Sequence, residues 1–298
     1  MTLPTERRAV ALMLAAMACL ILLDTSGKWL AMRDVPIAAT TWSRYVGHLA
    51  VVLALYLPTC GTAIFRSGRV SRQVLRGLLT VAVTLLYFAA LRSMPLAQAT
   101  AVFFTTPMLV TLFATLFLRE RPGWRAWAAV AGGFAGVLVV IRPGADLPLA
   151  GTLLVLAAAA ANAGYYVLTR AQARVDSPQV QVLYSGLVAG TVMTLALPLW
   201  WTPGWWRMDG LDGLGWLVFA MVGVLGAAGQ LLVAHAYRLA QASRLSAWTY
   251  TQMVLSVALG WLVFGDAPDA IALAGMVLIA ASPQLARLPG PGATRPAP

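Results

Sequence analysis

Two pairs of ionisable side chains sit one helical turn apart inside long apolar stretches: Asp24 with Lys28, and Arg44 with His48. Residues at i and i+4 share one face of a helix. An ionised group in a bilayer is expensive, about 3 kcal/mol on insertion scales, so it faces a partner, a cavity or a ligand. Asp24 on such a face can bind a substrate ammonium or a proton. It can equally form a structural pair with Lys28, whose long side chain snorkels toward the interface. Arg44 can grip a carboxylate through its planar fork, and His48 can titrate near neutral pH. The competing reading has Arg44 neutralising Asp24 across a helix interface and His48 acting as a helix-packing donor. Asp24 and Arg44 together would suit a zwitterion.

Other polar and aromatic residues interrupt the apolar runs at central positions. They are Tyr87 with Phe88, Phe103 and Phe104 with Thr105 and Thr106, Asn162 with Tyr165 and Tyr166, Gln230 with His235, and Trp248, Tyr250 and Gln252. Metabolite cavities are mostly apolar and aromatic with a few orienting polar groups. The expected substrate-binding set is therefore Asp24, Arg44, Tyr87, Phe103, Asn162, Tyr165, Gln230, Trp248, Tyr250 and Gln252, with Asp24 and His48 as the candidates for proton coupling. Trp200, Trp201, Trp205 and Trp206 read differently, as an aromatic belt at a membrane interface. Gly223, Gly226 and Gly229 permit close packing or bending, and Pro107 interrupts a helical hydrogen-bond ladder. Pro107, Gly226 and Gly229 are accordingly hinge candidates.

The elements that must position these groups are transmembrane helices. The chain has 298 residues, 60% hydrophobic and 10% charged, with a mean hydropathy of +0.78. A soluble domain carries about 25% charged residues, and a membrane-spanning helix needs about 20 apolar ones. Ten apolar runs follow, at 10–30, 37–57, 75–91, 96–118, 124–141, 149–168, 180–200, 214–237, 245–264 and 271–285. Turn chemistry separates them, as in Asp34-Val35-Pro36, Asp176-Ser177-Pro178 and Asp266-Ala267-Pro268. The runs are continuous rather than alternating, which means helices and not barrel strands. The first run has no small-residue cleavage pattern closing it and reads as an uncleaved span. The Pro- and Gly-rich tail at 289–298 is expected to be disordered and cytoplasmic.

A net charge of +11 could point to nucleic acid, but its distribution assigns topology instead. With the N-terminus in the cytoplasm, 15 of the 21 Lys and Arg residues fall in inside segments, 5 outside, and Arg44 within a span. Asp34, Asp146, Asp209, Asp212, Asp266 and Asp269 all fall outside. This is the positive-inside pattern for ten spans with both ends cytoplasmic, and it excludes nucleic acid as a partner.

The halves repeat. At an offset of 142, Lys28 meets Arg170, Asp34 meets Asp176, Pro36 meets Pro178 and Ser43 meets Ser185. At an offset of 146, Ala101 meets Ala247, Thr105 meets Thr251, Glu120 meets Asp266 and Pro122 meets Pro268. Five spans is an odd number, so the second copy runs through the membrane upside down. The basic Arg119-Glu120-Arg121-Pro122 loop and the acidic Gly265-Asp266-Ala267-Pro268 loop then lie on opposite sides. The expected fold is an all-α polytopic membrane protein with ten transmembrane helices as two inverted five-helix repeats, residues 1–145 and 146–288. Inverted repeats are a transporter architecture with a substrate site near the midplane between them.

Pro107 followed by Leu118-Arg119-Glu120-Arg121-Pro122, and the glycine-rich Ala131-Gly132-Gly133-Phe134-Ala135-Gly136, resemble the EamA type of the drug/metabolite transporter superfamily. The second copy, Met253 with Phe264-Gly265-Asp266-Ala267-Pro268, lacks the proline and has Asp in place of Glu. The resemblance covers residues 8–288. It implies a bacterial inner-membrane exporter of amino acids or other small metabolites, with a central cavity lined by spans 1, 3, 4, 6, 8 and 9.

Rival classes lack their residues. No Gly-x-Ser-Gly nucleophile, Asp-rich diphosphate motif or His-Glu-x-x-His helix is present. Two histidines, and Cys19 and Cys60 in or beside apolar runs, offer no metal spacing or disulfide framework. A channel would need a filter or rings of like residues. The expectation is a secondary transporter without cofactor, monomeric or homodimeric, whose partners are the bilayer and a small-molecule substrate. An amino acid or related zwitterion is the expected cargo, with an amine, a nucleobase-like or a drug-like solute, or import, as the alternatives.

Overall fold

A computed structural model of the chain describes residues 3–118, 124–141, 148–172, 175–200, 211–239 and 251–285. Every element of two or more turns in these residues is helical. In chain order they are α1 (Leu3–Ala31), α2 (Ile37–Cys60), α3 (Val70–Leu91), α4 (Leu96–Phe103), α5 (Thr106–Leu118), α6 (Trp124–Ile141), α7 (Leu149–Gln172), α8 (Pro178–Leu195), the single turn α9 (Leu197–Trp200), α10 (Gly213–Leu239), α11 (Thr251–Phe264) and α12 (Ala270–Leu285). Among the described residues six helical stretches are long and apolar enough to cross a membrane: Arg7–Ala31, Ile37–Phe65, Val70–Leu91, Leu96–Phe117, Leu149–Thr169 and Gly213–Val233. Shorter apolar helices lie at Ala131–Val140, Thr251–Phe264 and Ala270–Ser282. A backbone in hydrocarbon must satisfy its own hydrogen bonds, and a bundle of helices does so. The chain is a multi-pass membrane protein.

Its outer surface agrees. Leu195 and Leu262 are 74% and 73% exposed, while Arg76, Gln73, Thr41 and Ser185 are buried. Large apolar side chains cover the outside while several polar ones lie within, beside an apolar core, which a soluble protein does not show.

The helix ends follow the turn residues. Asp34 takes a left-handed φ of 59°, which short polar side chains tolerate, and Pro36 then opens α2. Ser177 caps α8, accepting a hydrogen bond from the Val180 N–H at 3.4 Å, with Pro178 at the first helical position. Several helix boundaries differ from the sequence expectation. α1 begins at Leu3 rather than 10, and α3 begins at Val70 rather than 75. The span expected at 180–200 breaks at Ala196, where Pro198 can no longer continue α8.

The span at 96–118 is also broken. α4 ends at Phe103 and α5 begins at Thr106, either side of a turn at Phe104 and Thr105. Pro107 has no N–H to give the carbonyl four residues back, that of Phe103. The Thr106 hydroxyl donates to it instead, at 2.8 Å. The Thr105 hydroxyl similarly donates to the Val102 carbonyl at 2.8 Å. The Thr106 hydroxyl thus stands in for the missing N–H, and the Thr105 hydroxyl adds to the bond that the Val102 carbonyl already accepts from the Thr105 N–H at 3.0 Å.

The core is fixed by close helix crossings. α1 packs along α10, α3 along α7, α6 along α12, and α2 between α8 and α10. Where α2 meets α10, a Cβ on Gly223 would lie 2.6 Å from the Gly47 Cα and 2.8 Å from the Ser43 carbonyl. Only glycine fits at that distance. The crossing is tied by the Ser43 hydroxyl, which donates to the Phe219 carbonyl at 2.6 Å. Small residues replace the missing hydrophobic drive between helices in lipid.

Candidate functional site

Asp24 is the residue from which the site is built. It sits half-buried on α1, and the Gln252 amide of α11 donates to its carboxylate with Nε2 3.4 Å from Oδ2. Arg44 of α2 and Tyr87 of α3 lie within electrostatic reach of the same carboxylate. Among the described residues no ion pair joins Asp24 to Arg44 within 4.0 Å. Lys28, a turn above Asp24, turns away from it and pairs with Asp266.

The surroundings are aromatic. The Tyr87 and Phe103 rings are 5.0 Å apart between centroids and tilted by 53°. The Tyr87 hydroxyl meets Thr100 Oγ1 at 3.1 Å. The Arg44 guanidinium lies 5.4 Å from the Tyr45 ring centroid and 5.9 Å from that of Phe88. Arg44 lies beside Gly226 of α10, where a Cβ would sit at ordinary contact distance, 3.8 Å, from its Cγ and Nε and 3.0 Å from Leu23 Cδ1. Phe88 is seated by Gly27, where any Cβ would approach its ring to 2.7 Å. Asp24, Arg44, Tyr87, Phe103 and Gln252 therefore belong to one neighbourhood, built from α1, α2, α3, α4 and α11.

Gln230 lies one turn beyond Gly226 on α10, with its buried Oε1 accepting no hydrogen bond among the described residues. Gly229, next to it, packs on Leu20 of α1, and α10 runs unbroken through both glycines. Pro107 stands at the start of α5, just after the break. Trp248, Tyr250, the belt residues Trp201, Trp205 and Trp206, and the tail at 289–298 lie outside the described residues.

His48 and Tyr165 sit elsewhere. His48 is buried, its Nε2 3.2 Å from the Val182 carbonyl of α8, and its ring edge fills the space that Gly186 leaves. Tyr165 faces Arg76, with the guanidinium 5.1 Å from its ring centroid, and stacks edge-on against Tyr166 at 5.5 Å. Asn162 is half-buried one turn before Tyr165 on α7. His235 is exposed and bonds locally to the Leu231 carbonyl at 2.7 Å.

Sequence reasoning assigned Arg76 to a cytoplasmic segment. It lies instead on α3, only 1% exposed. Its Nη1 donates to Gln181 Oε1 at 3.0 Å and its Nη2 to Ser185 Oγ at 2.8 Å and to the Gln181 carbonyl. Just below, Asp176 accepts from the Gly68 N–H at 2.9 Å, Ser67 Oγ at 2.8 Å and Gln73 Nε2 at 2.7 Å. Burial pushes the Asp176 carboxyl up, but these three donors and the Arg76 charge outweigh it and hold it below the usual carboxylate range. The signal was present in the sequence. Gln73, Arg76, Thr80, Thr84 and Tyr87 recur at helical spacing and form one buried polar stripe along α3.

The EamA-like transporter family matches the chain twice, over residues 7–142 and 149–285. The chain belongs to this family of the drug/metabolite transporter superfamily. It is similar to the riboflavin transporter of Vibrio cholerae serotype O1, 32% identical over 235 residues, 78% of this chain and 76% of that one. It is also similar to the S-adenosylmethionine uptake transporter of Rickettsia conorii, at 26% over 234 residues, 77% of this chain and 76% of that one. The pseudopaline exporter CntI of Pseudomonas aeruginosa is 27% identical over 234 residues, 77% of this chain and 78% of that one. The chain is a transporter-family protein, and the Asp24 neighbourhood draws residues from both matched halves.

Proposed function

We propose that this protein carries a planar, hydrogen-bonding heteroaromatic metabolite across the bacterial inner membrane by alternating access, with riboflavin the first candidate. The observation that carries the reading is a carboxylate, an amide and a guanidinium set among the rings of Tyr87, Phe103 and Phe88. Aromatic walls stack on a flat ring. Asp24 accepts from a ring N–H, while Arg44 and the Gln252 amide donate to carbonyl oxygens beside it. The relatives named for riboflavin and S-adenosylmethionine support a cargo with a fused ring system rather than a bare amino acid. A second reading, export of an amino acid or related zwitterion, is supported by the opposite charges of Asp24 and Arg44.

The cycle is proposed to run through ten spans in two inverted five-helix halves with both termini cytoplasmic, on the charge bias and repeat of the sequence. Two inverted halves give inward- and outward-open states of similar energy. The interruption between α4 and α5 beside Phe103 supports a site at the centre, since transporter sites are typically built at discontinuous helices. Asp24 is the proton-coupling candidate. His48, bonded to Val182 across the α2–α8 contact, is the weaker one. An alternating cycle is reversible, and net direction follows the gradients of substrate and proton.

Binding tests the cargo class. Purified protein in detergent should quench riboflavin fluorescence saturably, and S-adenosylmethionine should compete better than any single amino acid. Saturable binding of amino acids with no riboflavin quenching would replace the first reading by the second. Binding of none of these probes would overturn both.

A further inference from the structure

The end of α1 beyond Asp24 is joined to the end of α11 by a charge pair. Lys28 Nζ pairs with Asp266 Oδ2 and lies 4.5 Å from the centroid of the Phe264 ring. The lysine is the buried partner, 6% exposed, while the Asp266 side chain is 30% exposed. The chain is built to aim the acid. α11 stops at Phe264 and Gly265 takes a left-handed φ of 73°, a conformation that favours glycine. The Asp266 N–H then bonds back to the Gly260 carbonyl at 3.1 Å, folding Asp266 over the helix end toward α1. Gly265 and Asp266 thus do more than end a helix. They carry a carboxylate from the second half of the protein to a lysine in the first.

We propose that Lys28, Asp266 and Phe264 form a latch that closes one side of the Asp24 neighbourhood, the periplasmic side in the orientation given above. The inference rests on the transporter reading, because only a cavity that opens in turn to each side needs such a closure. α1 and α11 are also the two helices that share the Asp24–Gln252 contact, so parting the latch frees the helix pair that covers the carboxylate. A buried lysine cannot lose its carboxylate and stay in place without a large desolvation cost. The pair therefore stabilises the closed side, and in the open state both charges regain water. A permanent strut would make the same contacts but would never have to open, which is the difference an experiment can read.

Two measurements share a background with Cys19 and Cys60 replaced by Ala. In the first, Lys28→Cys with Asp266→Cys is treated in proteoliposomes with a short cleavable bis-thiosulfonate reagent. Riboflavin counterflow should stop on crosslinking and return on reduction, while riboflavin quenching by the crosslinked protein persists from the opposite side. Full counterflow in the crosslinked protein would make the pair a strut and overturn the latch. In the second, which needs no substrate, Gln252→Cys reports access from the periplasmic side to an impermeant thiol reagent. Lys28→Ala, Asp266→Ala and Gly265→Ala should each raise its labelling rate about tenfold or more, and the charge exchange Lys28→Asp with Asp266→Lys should lower it again. Unchanged labelling in all three single variants would also overturn the latch. Absence of riboflavin counterflow before crosslinking would count against the cargo assignment, and the labelling rates would still decide the latch.

Discussion

Gln252 and Asp24 meet across the two halves of the protein, the amide Nε2 of one 3.4 Å from the carboxylate Oδ2 of the other. One lies in the stretch matched at 149–285 and the other in that matched at 7–142. Among the described residues this long hydrogen bond is the one the Asp24 carboxylate accepts, and an ionised carboxylate offers about four acceptor positions. Substrate binding at this point would engage both halves at once, and in the proposed cycle this would couple occupancy to rocking of one half on the other.

From this, Gln252→Ala should weaken substrate binding and leave the fold intact. A hydrogen bond to a neutral carbonyl contributes about 0.5–1.5 kcal/mol, so KM should rise by about twofold to tenfold. Initial-rate flux in proteoliposomes reads this, with detergent chromatography confirming a monodisperse protein. An unchanged KM would place Gln252 outside the site.

The crossing of Gly47 and Gly223 predicts a packing defect. Adding a methyl group where a Cβ would stand 2.6 Å from a neighbouring backbone carbon forces α2 and α10 apart. Gly223→Ala should cost about 1–3 kcal/mol, the usual range for overpacking, and lower the melting temperature in detergent. It should also disturb the Ser43 bond to the Phe219 carbonyl. Wild-type stability in this variant would contradict the crossing.

Asp176 predicts a pH dependence at the end of the bundle where α3 meets α7 and α8. The folded carboxyl holds its proton more weakly than the ordinary value of 3.8. Its stabilisation is therefore complete above that value and is lost as pH falls through it toward the lowered folded one. Asp176→Asn should lower the melting temperature at neutral pH, and the gap to the native protein should narrow below about pH 4. A gap that stays constant from neutral to acid pH would show that the charge contributes nothing.

Pro107 predicts a change in turnover. Pro107→Ala restores an N–H for the Phe103 carbonyl, so α4 and α5 can join into one helix. Riboflavin quenching should survive while the maximal transport rate falls, because the interruption gives the span its freedom to bend. A full rate would remove Pro107 from the hinge.

Much of this was legible in the sequence because the bilayer imposes a strong code. Apolar runs, Pro and Asp turn signals and the buried charges Asp24 and Arg44 all depend on local residue type, and the helices fall where those signals stand. The interruption of the fourth apolar run was readable from Pro107 alone. What local pattern does not carry is which helix faces which. The i, i+4 spacing of Asp24 and Lys28 suggested a mutual pair, yet Lys28 bonds to Asp266, 238 residues away. Arg76 was counted with the inside basic residues, at the start of the third run. Its burial depends on Gln181 and Ser185 of α8, partners that only the packed bundle brings to it. His48 likewise carried a proton reading from its chemistry and a packing position from Val182.

The central claim is that a heteroaromatic metabolite crosses through the Asp24 centre, and counterflow tests it most directly. Proteoliposomes loaded with unlabelled riboflavin should accumulate labelled riboflavin from outside when they contain the native protein, and Asp24→Asn should abolish that accumulation in a protein that still folds and reconstitutes. Accumulation by Asp24→Asn at the native rate, or none by the native protein above empty liposomes, would contradict the account.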